Sequence, residues 1–370
     1  MSVLLLAAVV LVCLLQRLSM VWRVRFSFDS WGHLYFLTAV KRQKTGPFAP
    51  IHADVAEGGP FHYPLLTHWL LSFLPQAVLG RWIKAVNPVF EALGLAASMA
   101  LARAAGLDGL VVAAAGLAYV FTPMMFSKVA IGSTSHFTTR LYSELSAGLL
   151  LLLAFLPLPL SGAVLVLPMA VLVAYIVLSS KFGLQMVLLV VLPAALLAWK
   201  PALIAGLVLG FAGAVAVSQG GILKTWREQG RHLLWYLGET RKGKMPIADR
   251  NGLAPFRKAF AAPSLKEKIV HFGFALAGRN SFSGLVLKFP VAIAAALLVW
   301  SGAASGPVAD NGVFALLGVA FFVYGVVNTT VFIILGEAER YLNHFAFLIV
   351  LVFTEWAFAG GGLIWFWLAL

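Results

Sequence analysis

Long apolar runs separated by short polar joints recur along the whole chain, many near the roughly 20 residues that a helix needs to cross a bilayer. They lack the strict alternation of barrel strands, and a backbone inside lipid must satisfy its own polar groups. The pattern therefore predicts an all-α fold: a polytopic membrane protein, one transmembrane domain over 1–370, with about ten transmembrane helices. The expected spans lie near Ser2–Trp22, Ala85–Ala104, Gly109–Ser127, Glu144–Leu156, Ala163–Ser180, Leu184–Trp199, Ala202–Val217, Gly284–Trp300, Val313–Leu335 and His344–Ala359. The run Ser2–Leu15 has neither a basic leader nor an A-x-A cleavage site, so it is expected to stay as the first span. The apolar tail Gly360–Leu370 is too short to cross alone.

Two stretches are too polar to be spans, 23–84 and 218–283. The first contains two helical patterns. One opens at Asp29 and runs to about Lys44, stopped by Gly46-Pro47; the other follows Pro64 and carries Leu65, Leu66, Trp69, Leu70 and Phe73 on one side, ending around Pro75 and Gly80. A short Trp-bearing amphipathic helix suits the membrane interface. The second stretch is rich in Lys and Arg, with a helix expected over Ser264–Leu276.

Composition agrees with the pattern. Hydrophobic residues make up 61% of the 370 and charged residues 11%, and the mean hydropathy is +0.93, which excludes an ordinary soluble domain. The net charge of +13 resides mainly in loops, so membrane lipids and phosphate-bearing lipid substrates are the expected partners, and nucleic acid is not. A lone cysteine, Cys13, allows no intrachain disulfide. Placing both polar stretches on one face makes ten spans self-consistent, yet puts most Lys and Arg on the far side from the one the positive-inside rule prefers. Charge alone leaves the orientation open.

Candidate chemistry begins at Phe28-Asp29-Ser30-Trp31-Gly32-His33. On a helix starting there, Asp29 and His33 are four apart and share a face. A carboxylate beside an imidazole can act as general base toward a hydroxyl; equally, Asp29 can cap the helix through its free backbone N–H groups. The stretch from Phe28-Asp29 through Gly46, then His62-Tyr63-Pro64-Leu65 and the following helix, resembles the GT-C superfamily of polyprenyl-phosphate-sugar transferases, among them protein mannosyltransferases and lipid A aminoarabinose transferases. It departs in having Asp-Ser where many members have Asp-Glu, and His-Tyr-Pro-Leu where many have a Pro-Pro pair. The likeness covers about the first 200 residues loosely. It implies that Asp29 is the catalytic base of the first extracytoplasmic loop.

Three later features fit the same likeness. Ser180-Lys181-Phe182-Gly183 resembles the Lys-Gly step at a span end; Glu144 falls where relatives carry a second acidic, catalytic residue; Glu337-Ala338-Glu339-Arg340-Tyr341 resembles a basic element before a late span. The bland alternative is that such charges snorkel to the interface. A departing phosphate needs cationic donors, so the donor-phosphate and substrate-binding candidates are His33, His62, Lys181, Glu339 and Arg340. His52, Asp54, Glu57 and His62 could gather a divalent metal, but their spacing matches no strong signature, and neither a metal nor another cofactor is expected. Glu91 and Glu355 lie inside expected spans, where a carboxylate marks either a proton or substrate path or a bundle-interior hydrogen bond.

The resulting expectation is an inverting membrane glycosyltransferase of the bacterial inner membrane, with its active site on the extracytoplasmic face. It would move a sugar from a polyprenyl-phosphate donor to a lipid, glycan or protein acceptor. The competing class is a transporter or lipid flippase, which would be expected to show internal repeats or paired broken helices; the sequence shows neither.

Overall fold

The computed structural model describes residues 2–23, 28–44, 46–52, 60–122, 137–241, 254–277, 281–329, 332–336 and 338–361. The fold over these residues is helical, apart from a two-residue antiparallel pairing of Ile51–His52 with Pro60–Phe61. In chain order the helices are α1 (Ser2–Arg23), α2 (Phe28–Gln43), α3 (Leu66–Ser72), α4 (Ile83–Ala104), α5 (Gly109–Phe121), α6 (Arg140–Phe155), α7 (Gly162–Ser179) and α8 (Lys181–Leu197). Then follow α9 (Pro201–Val217), α10 (Gly221–Arg241), α11 (Ala254–Ala261), α12 (Leu265–Ala277), α13 (Ser281–Lys288), α14 (Pro290–Trp300), α15 (Ala309–Val327), α16 (Arg340–Asn343) and α17 (Ala346–Trp356).

A helix stands at each of the ten expected positions, but length and composition qualify fewer of them as spans. Among the described residues, α1, α4, α7 and α15 are long and apolar enough to cross a membrane, and the bent pair α9–α10 makes a fifth if counted as one span. The others fall short for local reasons. Pro290 at the first turn lacks the N–H that would continue the preceding helix, so the expected span Gly284–Trp300 divides into α13 and α14. The expected span Val313–Leu335 is instead displaced: α15, which does qualify, begins earlier at Ala309 and ends at Val327, and Ile333–Leu335 forms a separate 3-10 turn. Gly109–Ser127 is helical to Phe121, and its end lies outside the described residues.

Caps account for several boundaries. The Asp108 side chain accepts from Leu110 N at 2.7 Å and starts α5; Ser180 Oγ accepts from Gly183 N at 3.1 Å and starts α8, each satisfying one free N–H of a first turn. Lys44 turns left-handed (φ 49°) just after α2, as does Gln219 (φ 48°) after α9, followed by Gly220 (φ 78°). That pair of left-handed residues turns the chain by 106° between α9 and α10.

One large apolar cluster occupies the centre. Its middle is α17, where every residue from Ala346 to Thr354 is buried, as expected of a helix apolar all round. Helices α7 and α9 approach most closely through Gly206 and Gly210, a small-xxx-small pair of the kind that lets backbones meet in membranes. A Cβ on Gly210 would stand 2.6 Å from Val173 Cβ and 2.7 Å from the Ala170 carbonyl oxygen. Between α1 and α4, Arg17 and Glu91 are both fully buried, with Arg17 Nε donating to both carboxylate oxygens at 3.0 Å. Glu91 thus takes the second of its two expected roles, a bundle-interior partner.

The first polar stretch forms a layer over the end of the bundle. Helix α2 matches its expected extent closely. The second helix is shorter than its pattern: α3 covers Leu66–Ser72, with Pro75 just beyond its end, and Gly80 falls within a wide turn, Val78–Trp82, that runs into α4. Leu37, Leu71, Leu79 and Ile83 pack with Phe137, Leu141 and Tyr142 and seat this layer on α4 and α6. Lys41 Nζ donates to the Leu74 carbonyl at 2.9 Å, tying the end of α2 to the end of α3.

Candidate functional site

Asp29 lies in the first turn of α2, where the sequence expected a helix start. One turn further, His33 is buried, with Nδ1 3.1 Å from His68 Nε2 and 3.2 Å from Thr139 Oγ1. The two imidazoles stack with centroids 5.3 Å apart, and Phe36 and Tyr63 close around His68 edge-on. Burial, then the nearby charge of Arg140, pushes His33 down to about 3; burial, then His33, holds His68 well below the usual histidine range. Both rings are therefore neutral near pH 7, and one of the facing nitrogens donates to the other. His33 joins α2 and α3 to the start of α6, and it offers a phosphate no positive charge. His62 is half-buried in the segment leading into α3.

Around Phe182 the arrangement is different. Arg340 lies over the Phe182 ring with Cζ 4.6 Å from the centroid, and Arg140 with Cζ at 5.1 Å, both inside cation–π range. Lys181, half-buried at the start of α8, feels the Arg140 charge. Two guanidinium groups, from α6 and α16, thus meet one ring; Lys181, its chain neighbour, and His33 under α2 both sense Arg140. Local sequence builds this. Gly183 lets α8 begin tight against α7, since a Cβ there would sit 2.6 Å from Ile176 Cγ2. Gly336, at φ 108°, gives Phe182 its place: a Cβ would come within 2.6 Å of Phe182 Cε1. A phosphate has three oxygens to share among such donors, and guanidinium groups present fixed forks to it.

Two of the three acidic candidates, Glu144 and Glu339, have other neighbours. Glu144, one turn along α6 from Arg140, lines a cavity of about 40 Å³ with Ser98, Tyr119, Asn343 and His344. That is room for water but not for a sugar. His344 Nδ1 pairs with the Arg340 carbonyl, while His344 Nε2 and Asn343 Oδ1 are buried without a partner among the described residues. Glu339 lies against α13, where a Cβ on Gly284 would meet its Oε1 at 3.1 Å.

The structure therefore places Arg340 on Phe182, the residue after Lys181, and adds Arg140 on the same ring; sequence reasoning singled out neither Arg140 nor Phe182. Arg140 carried a signal: it opens the same span mouth as Glu144, one turn earlier. Phe182 carried none beyond its place between Lys181 and Gly183. Of the residues considered for a metal, Asp54 and Glu57 lie outside the described residues, and so does Glu337. Among the described residues no group of three or more His, Cys, Asp or Glu side chains gathers. Compared with known proteins, the chain matches no protein-family model, no curated protein and no solved structure.

Proposed function

We propose that this chain is an integral membrane glycosyltransferase of the GT-C kind, using a polyprenyl-phosphate-linked sugar and inverting its anomeric centre. The observation that carries the reading is the convergence of Arg140 and Arg340 on Phe182, with Lys181 sensing Arg140, close to the layer that bears Asp29. Four residues along a helix is a rise of about 6 Å, so Asp29 is one turn from His33, which itself senses Arg140. In this reading Asp29 takes the proton of an acceptor hydroxyl. The resulting oxygen attacks the anomeric carbon, the bond from that carbon to the phosphate oxygen breaks, and the phosphate leaves onto the three cations. Fixed positive groups at the point where charge develops are worth more in a water-poor site than in water. Glu144 borders the small cavity next to the Arg340–His344 contact. The ten-span arrangement, the extracytoplasmic site and the bacterial inner membrane belong to the same proposal.

The test uses full-length protein in lipid nanodiscs, with undecaprenyl phosphate as the binding probe and a panel of radiolabelled undecaprenyl-phosphate sugars as donors. Saturable probe binding that weakens about tenfold or more in Arg140→Gln and Arg340→Gln, together with sugar transfer abolished in Asp29→Asn, is the expected result. Equal probe binding by the wild type and both arginine variants would overturn the reading. So would substrate flux in proteoliposomes with no sugar transferred.

A further inference from the structure

The second polar stretch contains a feature that glycosyl transfer does not use. Helices α11 and α12 pack against each other, joined through Ala262–Ser264, with Phe256 and Phe260 meeting Phe272 at ring-centroid distances of 5.6 and 6.2 Å. This aromatic seam is not buried by the bundle. Phe260 is 73% exposed, Leu265 73%, Ile269 63% and Phe272 40%. On α12, Leu265, Ile269 and Phe272 follow one another at i, i+4 and i+7, which places them in one stripe. Lys266 and Lys268 fall on the two edges of that stripe, and Glu267 and His271 on the opposite side. On α11, Arg257 and Lys258 are exposed beside Phe260.

We infer that the α11–α12 hairpin is a membrane-surface anchor that lays this stripe into a leaflet rich in anionic phospholipid. Two physical facts select that occupant. Lysines that border an apolar stripe bury their methylene stems while their ammonium groups reach the headgroup phosphates, and here four cations stand against one acid, Glu267. The stripe also leads along the chain into an exposed apolar surface that suits acyl chains: Val286 (54%) and Leu287 (60%) on α13, then Leu297 (59%) on α14. An apolar face of this size on a membrane-embedded chain has lipid beside it, and the flanking charges choose which lipid. Each basic group near an anionic surface favours attachment roughly fivefold, so the net three favour it on the order of a hundredfold.

The experiment uses the full-length chain carrying Cys13→Ala and a single nitroxide label, at Ile269→Cys or at Glu267→Cys. It is reconstituted in nanodiscs of phosphatidylcholine alone or of phosphatidylcholine with phosphatidylglycerol. Collision rates with oxygen, which partitions into lipid, and with a water-soluble nickel chelate report the depth of each label. In discs containing phosphatidylglycerol the label at 269 should favour oxygen several-fold over the label at 267. Combining Arg257→Gln, Lys258→Gln, Lys266→Gln and Lys268→Gln should reduce that preference at 269 and its dependence on phosphatidylglycerol. A label at 269 that meets the nickel chelate as freely as the label at 267 would overturn the inference, and so would one shielded from both reagents by protein. A lipid-exposed label at 269 indifferent to both phosphatidylglycerol and the four substitutions would overturn the choice of an anionic leaflet.

Discussion

Replacing Glu91 by Gln should be among the most damaging single substitutions in the chain, and the geometry gives the size of the effect. Arg17 is fully buried and donates through Nε to both Glu91 oxygens at 3.0 Å. Nη1 also donates to the Gln16 side-chain oxygen at 2.7 Å and to the Val120 carbonyl at 3.4 Å, both neutral. Glu91→Gln keeps the volume and one acceptor but removes the carboxylate charge from the pair, and removing one partner of a buried pair costs about 3–5 kcal/mol. Replacing both, as Arg17→Met with Glu91→Leu, removes the charge together with its partner, and such replacements are often neutral or stabilising by about 1–4 kcal/mol. The sole cysteine supplies the assay. Cys13 is fully buried one turn before Arg17 on α1, so a thiol-reactive dye reports the opening of this very region on heating in detergent. The expected order of melting temperature is Glu91→Gln lowest, with the double variant recovering to near or above wild type. If the double variant melts as low as Glu91→Gln, the loss comes from packing at α1–α4, and the ion-pair reasoning is wrong.

Other outcomes follow from other contacts. His33 and His68 are held neutral in the fold while an unfolded histidine protonates near pH 6.5, so the unfolded state binds more protons and stability falls as pH drops from about 6.5 toward 3. The slope is about 1.4 kcal/mol per pH unit for each ring; a His33→Gln variant should lose part of the melting-temperature drop between pH 7 and pH 5. Gly210→Val should cost about 1–3 kcal/mol by overpacking, because the new Cβ meets Val173 and the Ala170 carbonyl, whereas Gly213→Ala, with nothing within 4 Å, should melt as wild type. Gly336→Ala strains a left-handed residue and pushes on Phe182, so it should weaken undecaprenyl phosphate binding much as Phe182→Leu does, measured by native mass spectrometry in nanodiscs. Unchanged binding in both would separate Phe182 from the anion site.

Much of the axial layout was legible in the sequence. The extents of α1, α2, α4, α7 and α9 follow from apolar length, caps and stops, because those signals are local. The breaks were less so. Pro290 stood in plain view, yet its effect depends on whether the segment before it has other support. The 3-10 turn at Ile333–Leu335 interrupts a run whose composition alone reads as continuous. The helices α10 and α11 escaped notice within a stretch whose basic, Gly- and Pro-punctuated composition masks two amphipathic patterns. Lateral neighbours were not legible at all. Glu91 is 74 residues from Arg17, and nothing in either segment names the other. The Gly206–Gly210 spacing was visible, but the facing positions Met169, Ala170 and Val173 were not.

The same limit divides the candidate residues by the kind of inference that placed them. Lys181 and Arg340 were chosen because each stands at the mouth of an expected span, a property of depth; Arg340 lies over the Phe182 ring, and Lys181, next to that ring in the chain, senses Arg140. His33 and Glu144 were chosen for chemistry at a similar depth, but azimuth sends them elsewhere. His33 turns beneath α2 into an aromatic and histidine core, and Glu144 turns from Arg140 toward α4 and His344. The contrast between the arginines has the same origin. At α1–α4 a single guanidinium meets a single carboxylate, the charges cancel, and the pair serves packing. At Phe182 two guanidinium groups lie within cation–π range of one ring, and in the proposed function like charges drawn to one place raise the reward for an anion that binds there. In the proposed function, a ring that attracts both arginines, placed beside a left-handed glycine, holds these groups in position for the phosphate. Preorganisation of this sort is what stabilising a departing phosphate requires.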